Sequence, residues 1–361
     1  MPLVEPSRIL LIRPSALGDV CRTVPALVSL RRRYPTARID WLVRDAFVDA
    51  VRAHPDLNGA LSFPRTAMQR WWTPTGGRTL VEFLRAVAAP QYDLVIDCQG
   101  LFRSGVFAFA SGAPRRFGDR SAPELAWLAY TDRVRIDHDL HVVDRMLAIT
   151  TAAGAPAVPD MRLHAPPDAE LPSAIESAQP FAVLAPTSAW PGKCWPADRF
   201  AQLAAQLLEE GLVERIVVVG GANERAQIEP LAKLAASDGR VLDLVGRTTI
   251  GELMRMIEHA SLVVANDSAA VHMAVGFHRP LVALLGPTDA RLAGPYQRMD
   301  AVVQVVSNAD ELTHRACKDA SHGAALMERI TVELAMSKAR EQLERKCKTL
   351  NNNATASESC V

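Results

Sequence analysis

The chain has 361 residues, enough for two compact domains, and is 49% hydrophobic and 22% charged, an ordinary globular composition. Its formal net charge is zero, yet residues 1–150 carry 20 Arg, no Lys and 15 Asp plus Glu, about +5. No apolar run approaches the roughly 18–20 residues of a membrane span, and the first residues lack the basic, apolar, small-residue order of a leader. Six scattered cysteines with no C-x-x-C predict reduced thiols in a cytoplasmic chain, with no disulfide framework and no zinc site. Nucleic acid is not an expected partner, because no binding module is visible and the few aromatics do not interleave with the arginines. The arginine-rich half reads either as a solvated surface or as a face for an anionic partner such as a phosphorylated lipid or substrate.

In chain order, short β-branched runs alternate with stretches of helical period, the pattern of parallel sheets covered by helices. Strands are expected at Arg8–Arg13, Arg38–Val43, Ala60–Phe63, Tyr92–Asp97 and Arg115–Gly118. A helix from Asp19 to Arg33 would bury Val20, Val24, Leu27 and Leu30 on one face, and Pro35 would stop it. The stretch HAPPDAELPS, His164–Ser173, has linker composition. The pattern then restarts, with strands expected at Phe181–Ala185, Arg215–Val219, Val241–Val245, Leu262–Ala265, Pro280–Leu285 and Val302–Val306. Ala324–Lys346 is helix-prone, and the polar stretch from Lys348 onward is expected to be disordered. Two α/β domains follow, with a boundary near residues 164–175.

In open parallel sheets ligands sit beyond the carboxyl ends of the strands, so the loops after strands deserve the closest reading. After the first strand come Ser15, Gly18 and Asp19. Asp19 fits a first-turn acid held by the helix dipole, and equally a general base kept ionised by that dipole. No G-x-G-x-x-G stands there, which weakens a dinucleotide reading and with it a nicotinamide oxidoreductase. In APTSAWPGKCWPADRF, Ala185–Phe200, Thr187 and Ser188 offer hydroxyls just past a strand. Gly192 allows a tight turn, and Lys193 is either a phosphate-facing cation or a surface lysine; Pro196 suits a first helical position. In GGANERAQ the glycines permit close backbone approach, and Glu224 could accept from ribose or base groups or simply sit in a first helical turn.

The richest stretch is Ser261–Tyr296. A buried strand ends at Asn266-Asp267-Ser268, and a helix of small residues follows through Ala269, Ala270, His272, Ala274 and Gly276. Such a helix start presents N–H groups and positive dipole to an anion. His272 could point at the same anion or be a satisfied helix histidine. The Gly286–Asp289 turn would bring Thr288 to that point. Together these loops point to a diphosphate site.

Four segments carry a family resemblance over most of residues 8–300: RILLIRPSALGDVCRTVPAL, DLVIDCQGLFRSGVFAFASGAPRRFG, PTSAWPGKCWP and VVANDSAAVHMAVGFHRPLVALLGPTD. They resemble the ADP-heptose:lipopolysaccharide heptosyltransferases, glycosyltransferase family 9. The resemblance implies an α/β fold of GT-B type, with two Rossmann-like domains whose parallel sheets face across a cleft. Residues 1–165 would bind the acceptor, 166–174 would link, and 175–323 would bind the nucleotide-sugar. A helix over 324–346 would pack back on the first domain, and 347–361 would be a disordered tail. It also implies inverting transfer of a heptose from ADP-heptose to a hydroxyl of a Kdo-lipid A type inner core, an anionic lipid-linked saccharide. The family's base maps onto Asp19, its diphosphate-neutralising lysine onto Lys193 and its nucleotide-contacting acid onto Glu224. Its donor-binding positions map onto Asp267, Ser268 and His272, with Ala269 where relatives commonly carry glycine. Thr187, Ser188 and Thr288 complete the donor-side candidates; Ser15, Gly18, Arg65, Arg103 and Arg120 are those on the acceptor side.

Such a transfer needs a base, positive charge for the leaving diphosphate, and alignment away from water. Lys193, the helix start near Ser268 and His272 would supply the charge. No metal site and no cofactor are expected, and Mg²⁺ is not expected to be essential. Peripheral contact with the cytoplasmic face of the inner membrane is expected through the arginine-rich half. Two alternatives share the architecture: a family member using another sugar or acceptor, and a sugar-nucleotide epimerase, which would turn over donor alone. A non-catalytic nucleotide-sugar module would not need both Asp19 and Lys193.

Overall fold

The computed structural model describes residues 5–175 and 179–358. The chain divides between Pro167 and Asp168 into two compact units, and each is built on one six-stranded sheet. In the first unit the strands are β1 (Arg8–Ile12), β2 (Arg38–Arg44), β3 (Gly59–Phe63), β4 (Leu94–Asp97), β5 (Arg115–Asp119) and β6 (Asp132–Val134). In the second they are β7 (Phe181–Ala185), β8 (Arg215–Val218), β9 (Val241–Asp243), β10 (Leu262–Asn266), β11 (Leu281–Leu284) and β12 (Val302–Val303).

Every strand pair is parallel. The first sheet runs β3-β2-β1-β4-β5-β6 and the second β12-β11-β10-β7-β8-β9. Both are therefore the same doubly wound order, with one reversal each, between β1 and β4 and between β7 and β10. Parallel sheets of this kind are covered on both faces, so their central strands are continuous apolar runs. Ile9–Ile12 and Leu262–Asn266 are wholly buried accordingly. In the first core Phe63, Phe83 and Phe107 pack ring against ring, with centroids 5.1–5.4 Å apart.

Several sequence expectations need correction. The helix expected over Asp19–Arg33 is two, Leu17–Arg22 and Val24–Arg33. Pro25 has no N–H for a continuous ladder, and the Thr23 hydroxyl donates instead to the Asp19 carbonyl at 2.8 Å. The four core positions named for this stretch are nonetheless buried. β6 was not expected: three residues at a sheet edge with one exposed Arg carry no apolar run.

The stretch Ala324–Lys346 is broken between helices Ala320–Glu328 and Val332–Glu358. At the break, Arg199 donates to the carbonyls of Glu328 and Ile330 at 2.5 and 2.6 Å, and the Trp195 indole donates to Ile330 at 2.9 Å. The second of these helices was expected to pack back on the first domain. Its Ala335, Met336 and Ala339 complete the second unit's own core, beside Leu203, Leu207 and Leu284. The polar stretch expected to be disordered continues this helix through Glu358, since propagation from an anchored helix adds one hydrogen bond per residue fixed. Residues 359–361 lie outside the described residues. Cys21, Cys98, Cys194 and Cys317 are free thiols.

Candidate functional site

Open α/β sheets bind ligands outside the carboxyl ends of the strands where the strand order reverses. Asp19 after β1, Lys193 after β7 and Asp267 after β10 stand at these reversals, and the other candidates follow the same or nearby strands.

In the first unit, the loop after β1 turns directly into the helix Leu17–Arg22, and Asp19 stands in its first turn. One carboxylate oxygen accepts from the Ala16 N–H at 3.2 Å and pairs with Arg13 at 2.9 Å; the other pairs with Arg22. Burial would raise its pKa, but the two guanidiniums outweigh it and hold the carboxyl well below the usual range. The side chain is 22% exposed, so the ionised group is reachable from solvent. Arg13 is buried and also donates to the Cys98 carbonyl after β4, which ties the two strand ends together. The Ser15 N–H donates to Gln99 at 3.4 Å, and Gly18 lies inside the helix beside Asp19. Arg65, Arg103 and Arg120 lie on the segments that follow β3, β4 and β5. The charged partners of Asp19 are Arg13 and Arg22, which the sequence reading did not single out.

In the second unit, three loops meet at one carboxylate. Lys193, after β7, places its ammonium 2.6 Å from Asp267, after β10, and the Thr288 hydroxyl, after β11, donates to the same oxygen at 2.6 Å. Burial pushes the Asp267 carboxyl up, but Lys193, the hydrogen bonds and nearby His272 outweigh it and hold it below its ordinary value. His272 is buried at the fourth position of the helix Ala269–Gly276, the end of its first turn. Ser268 stands at the N-cap of that helix and Ala269 at its first position. The Ser268 hydroxyl is buried and has no hydrogen-bond partner among the described residues.

A second cluster joins the loops after β7 and β8. The buried Thr187 hydroxyl donates to Glu224 at 2.6 Å, and the same carboxylate oxygen accepts from the Gly221 N–H at 2.9 Å. The Ser188 N–H donates to Gln227 at 3.1 Å, and Gln227 donates back to the Ser188 carbonyl at 3.1 Å. Gly220 lies against Thr187 so closely that an added Cβ would meet its hydroxyl oxygen at 2.7 Å.

Two further residues hold this frame. Asn266, fully buried at the end of β10, accepts from the Trp195 N–H at 3.1 Å and donates to the Pro186 carbonyl at 2.5 Å. Gln304 donates to the carbonyls of Gly286 and Thr288 at 2.8 and 2.7 Å, fixing the turn that carries Thr288. A buried Asn just before Asp267 was the available signal for the first; nothing in the sequence pattern marks the second. The site thus combines a cation, an unpartnered hydroxyl and a helix start, which suits an anionic leaving group.

A family model for glycosyltransferase family 9 (heptosyltransferase) matches residues 80–321. That span contains Lys193, Glu224, Asp267, Ser268, His272 and Thr288 and leaves out Asp19. Lipopolysaccharide heptosyltransferase 1 of Salmonella typhimurium is 29% identical over 302 residues, 80% of this chain and 91% of that protein. Lipopolysaccharide heptosyltransferase 2 of Escherichia coli K12 is 26% identical over 321 residues, 83% of this chain and 88% of that protein. The solved structure of E. coli heptosyltransferase WaaC with ADP matches with a TM-score of 0.74 at 23% identity, covering 93% of this chain and 99% of that one. The structure of E. coli ADP-heptose lps heptosyltransferase II matches with a TM-score of 0.73, also at 23% identity, over 94% of this chain and 99% of that one. The fold is accordingly α/β of GT-B type, with two Rossmann-like domains.

Proposed function

This chain belongs to glycosyltransferase family 9, and on that premise we propose that it transfers a heptose from ADP-heptose to a hydroxyl of the lipopolysaccharide inner core, with inversion at the anomeric carbon. The observation that carries the reading is the meeting of Lys193, Asp267 and Thr288 beside the start of the helix Ala269–Gly276. The relatives named heptosyltransferases, and the WaaC structure holding ADP, support the choice of donor and acceptor.

In this reading each unit does one part of the chemistry. The acceptor oxygen bonds to the anomeric carbon while the bond from that carbon to the diphosphate oxygen breaks, and ADP leaves with the electron pair. The acceptor's proton passes to Asp19. Arg13 and Arg22 favour its ionised form, which leaves a carboxylate able to accept the proton as the acceptor oxygen bonds to carbon and becomes acidic. Lys193, the N–H groups at the helix start and the Ser268 hydroxyl receive the charge that develops on the diphosphate. Asp267 keeps Lys193 in place until the anion arrives. Thr187, Ser188 and Glu224 are the ribose- and base-side candidates, and His272 supports the Asp267 end.

No cofactor takes part in this scheme, and Mg²⁺ is not essential, because lysine and helix dipole supply the positive charge. The acceptor is a Kdo-lipid A type saccharide, met at the cytoplasmic face of the inner membrane through peripheral contact. No helix among the described residues is long and apolar enough to cross a membrane.

The test is ADP release from ADP-heptose with and without Kdo-lipid A, in Mg²⁺ and in EDTA, with the product's anomeric configuration read by NMR. Acceptor-dependent release, undiminished by EDTA and with inverted product, is expected. A donor sugar changed in configuration without acceptor, read in the same NMR spectra, would point to an epimerase, and no turnover with this pair would refute the donor or the acceptor.

A further inference from the structure

On the first unit, the helix Phe102–Ala110 and the short 3-10 turn Ala126–Ala129 enclose an open groove of about 320 Å³. Its walls are apolar. Phe102, Phe109, Leu125 and Leu128 line it, and each is 57–69% exposed. Exposed large apolar side chains are ordinarily scattered singly, and a contiguous set marks an interaction surface. The asymmetry between the units agrees: nine of the eleven exposed large hydrophobics among the described residues belong to the first.

The groove is a built feature. Arg116 bridges its two walls, donating to the Ala129 carbonyl at 2.6 Å from the turn side while its guanidinium lies 5.9 Å from the Phe109 ring centre. Gly105 faces Ala126 so closely that a Cβ there would meet backbone at 3.1 Å, so helix and turn sit in direct contact. Two exposed arginines stand on neighbouring positions: Arg103, next to Phe102 with its guanidinium 5.6 Å from the Phe63 ring centre, and Arg133, stacked at 4.6 Å over Trp127 of the turn. The nearby acid Glu124 is occupied, accepting from the Phe102 N–H at 3.1 Å at the helix start.

Exposed rings and leucines on an arginine-rich unit suit one environment well. The apolar groups enter the acyl boundary of a bilayer while the arginines meet lipid phosphates. A second copy of the chain fits less well, since it would set the same arginine-rich unit, about +5 over residues 1–150, against itself. We propose that this groove seats the first unit on the headgroup–acyl boundary of an anionic phospholipid bilayer. The inference rests on the reading that the acceptor is lipid-linked, and it adds which face of the protein meets the membrane.

The experiment is co-sedimentation of the full chain with vesicles of phosphatidylcholine, alone or mixed with phosphatidylglycerol, at low and high salt. The double variant Phe109→Asp/Leu128→Asp is compared with wild type and with Leu334→Asp, the same change at an exposed leucine of the second unit. Wild type and Leu334→Asp should bind the anionic vesicles, less at high salt. The double variant should lose about tenfold or more in affinity, because two apolar anchors are lost and two charges added. It should keep its turnover on a de-acylated, soluble acceptor. Double-variant binding equal to wild type would overturn the proposal, as would absence of wild-type binding. A wild-type dimer that the double variant dissociates, with vesicle binding unchanged, would assign the groove to self-association and overturn it too. Failure of the glycosyl-transfer reading is separate: it appears as no turnover on the soluble acceptor by wild type, whatever the vesicles show.

Discussion

Asp19 is an acid that two arginines hold ionised on the first turn of a helix, and that combination decides what it can do. It cannot serve as a proton donor near neutral pH, and it is a poor phosphate neighbour. As a base it needs only a negative charge in reach of the acceptor. Asp19→Asn should therefore bind ADP as wild type does and lose turnover by at least about 10²-fold; steady-state kinetics with calorimetric ADP titration reads both. Lys193→Ala should differ, weakening ADP binding together with rate, and unchanged ADP affinity in that variant would remove Lys193 from the diphosphate. At this scale the sequence was informative where chain punctuation is sharp. Asp19, Lys193, Asp267 and Thr288 all stand just past apolar runs. Arg13 was not found because it looks like the end of a strand, and nothing in one dimension says that its side chain folds back on the next helix. Arg22 lies three residues beyond Asp19, a helical pairing distance that could have found it. Asn266 was visible, but its task, joining two loops through buried hydrogen bonds, depends on a neighbour 71 residues away.

Among the elements, the parallel strands were legible because burial on both faces writes them as unbroken apolar runs. β6 and the break after Arg22 were not. One is a short polar edge strand, and the other depends on how Thr23 and Pro25 divide the helix ladder. The C-terminal helix is the clearest case of tertiary context deciding. Its helical period was plain, but period alone does not name the surface it covers. Met336 is 1% exposed within the second core, so Met336→Ala should cost about 2–5 kcal/mol of stability by removing buried volume there. Urea unfolding would measure it, and a loss under about 0.5 kcal/mol would mean that the helix does not complete this core.

For the whole molecule, both sheets repeat one strand order, and each reversal carries one part of the proposed chemistry. The repeat of strand-loop-helix units made that architecture readable. The charge count showed an arginine-rich half but not the groove, because exposure of Phe109 and Leu128 is settled by which helix face the turn leaves open. Stability against acid is a further whole-molecule property. His54 is buried edge-on to His164, with ring centroids 4.9 Å apart. Burial, then that neighbour, push its pKa from 6.5 down to about 4. The folded chain thus keeps it neutral while the unfolded chain would protonate it near 6.5. Its contribution is full above that pH and is lost as pH falls toward 4, by about 3 kcal/mol. Denaturation across this range should show a shallower acid decline in His54→Gln than in wild type; parallel curves would contradict the assignment.

The division of labour between the units is tested most directly by a crystal structure with ADP bound. The nucleotide should lie on the second unit, its diphosphate against Lys193 and the start of the helix Ala269–Gly276. ADP lodged instead on the loop after β1, with a phosphate at Asp19, would contradict the account.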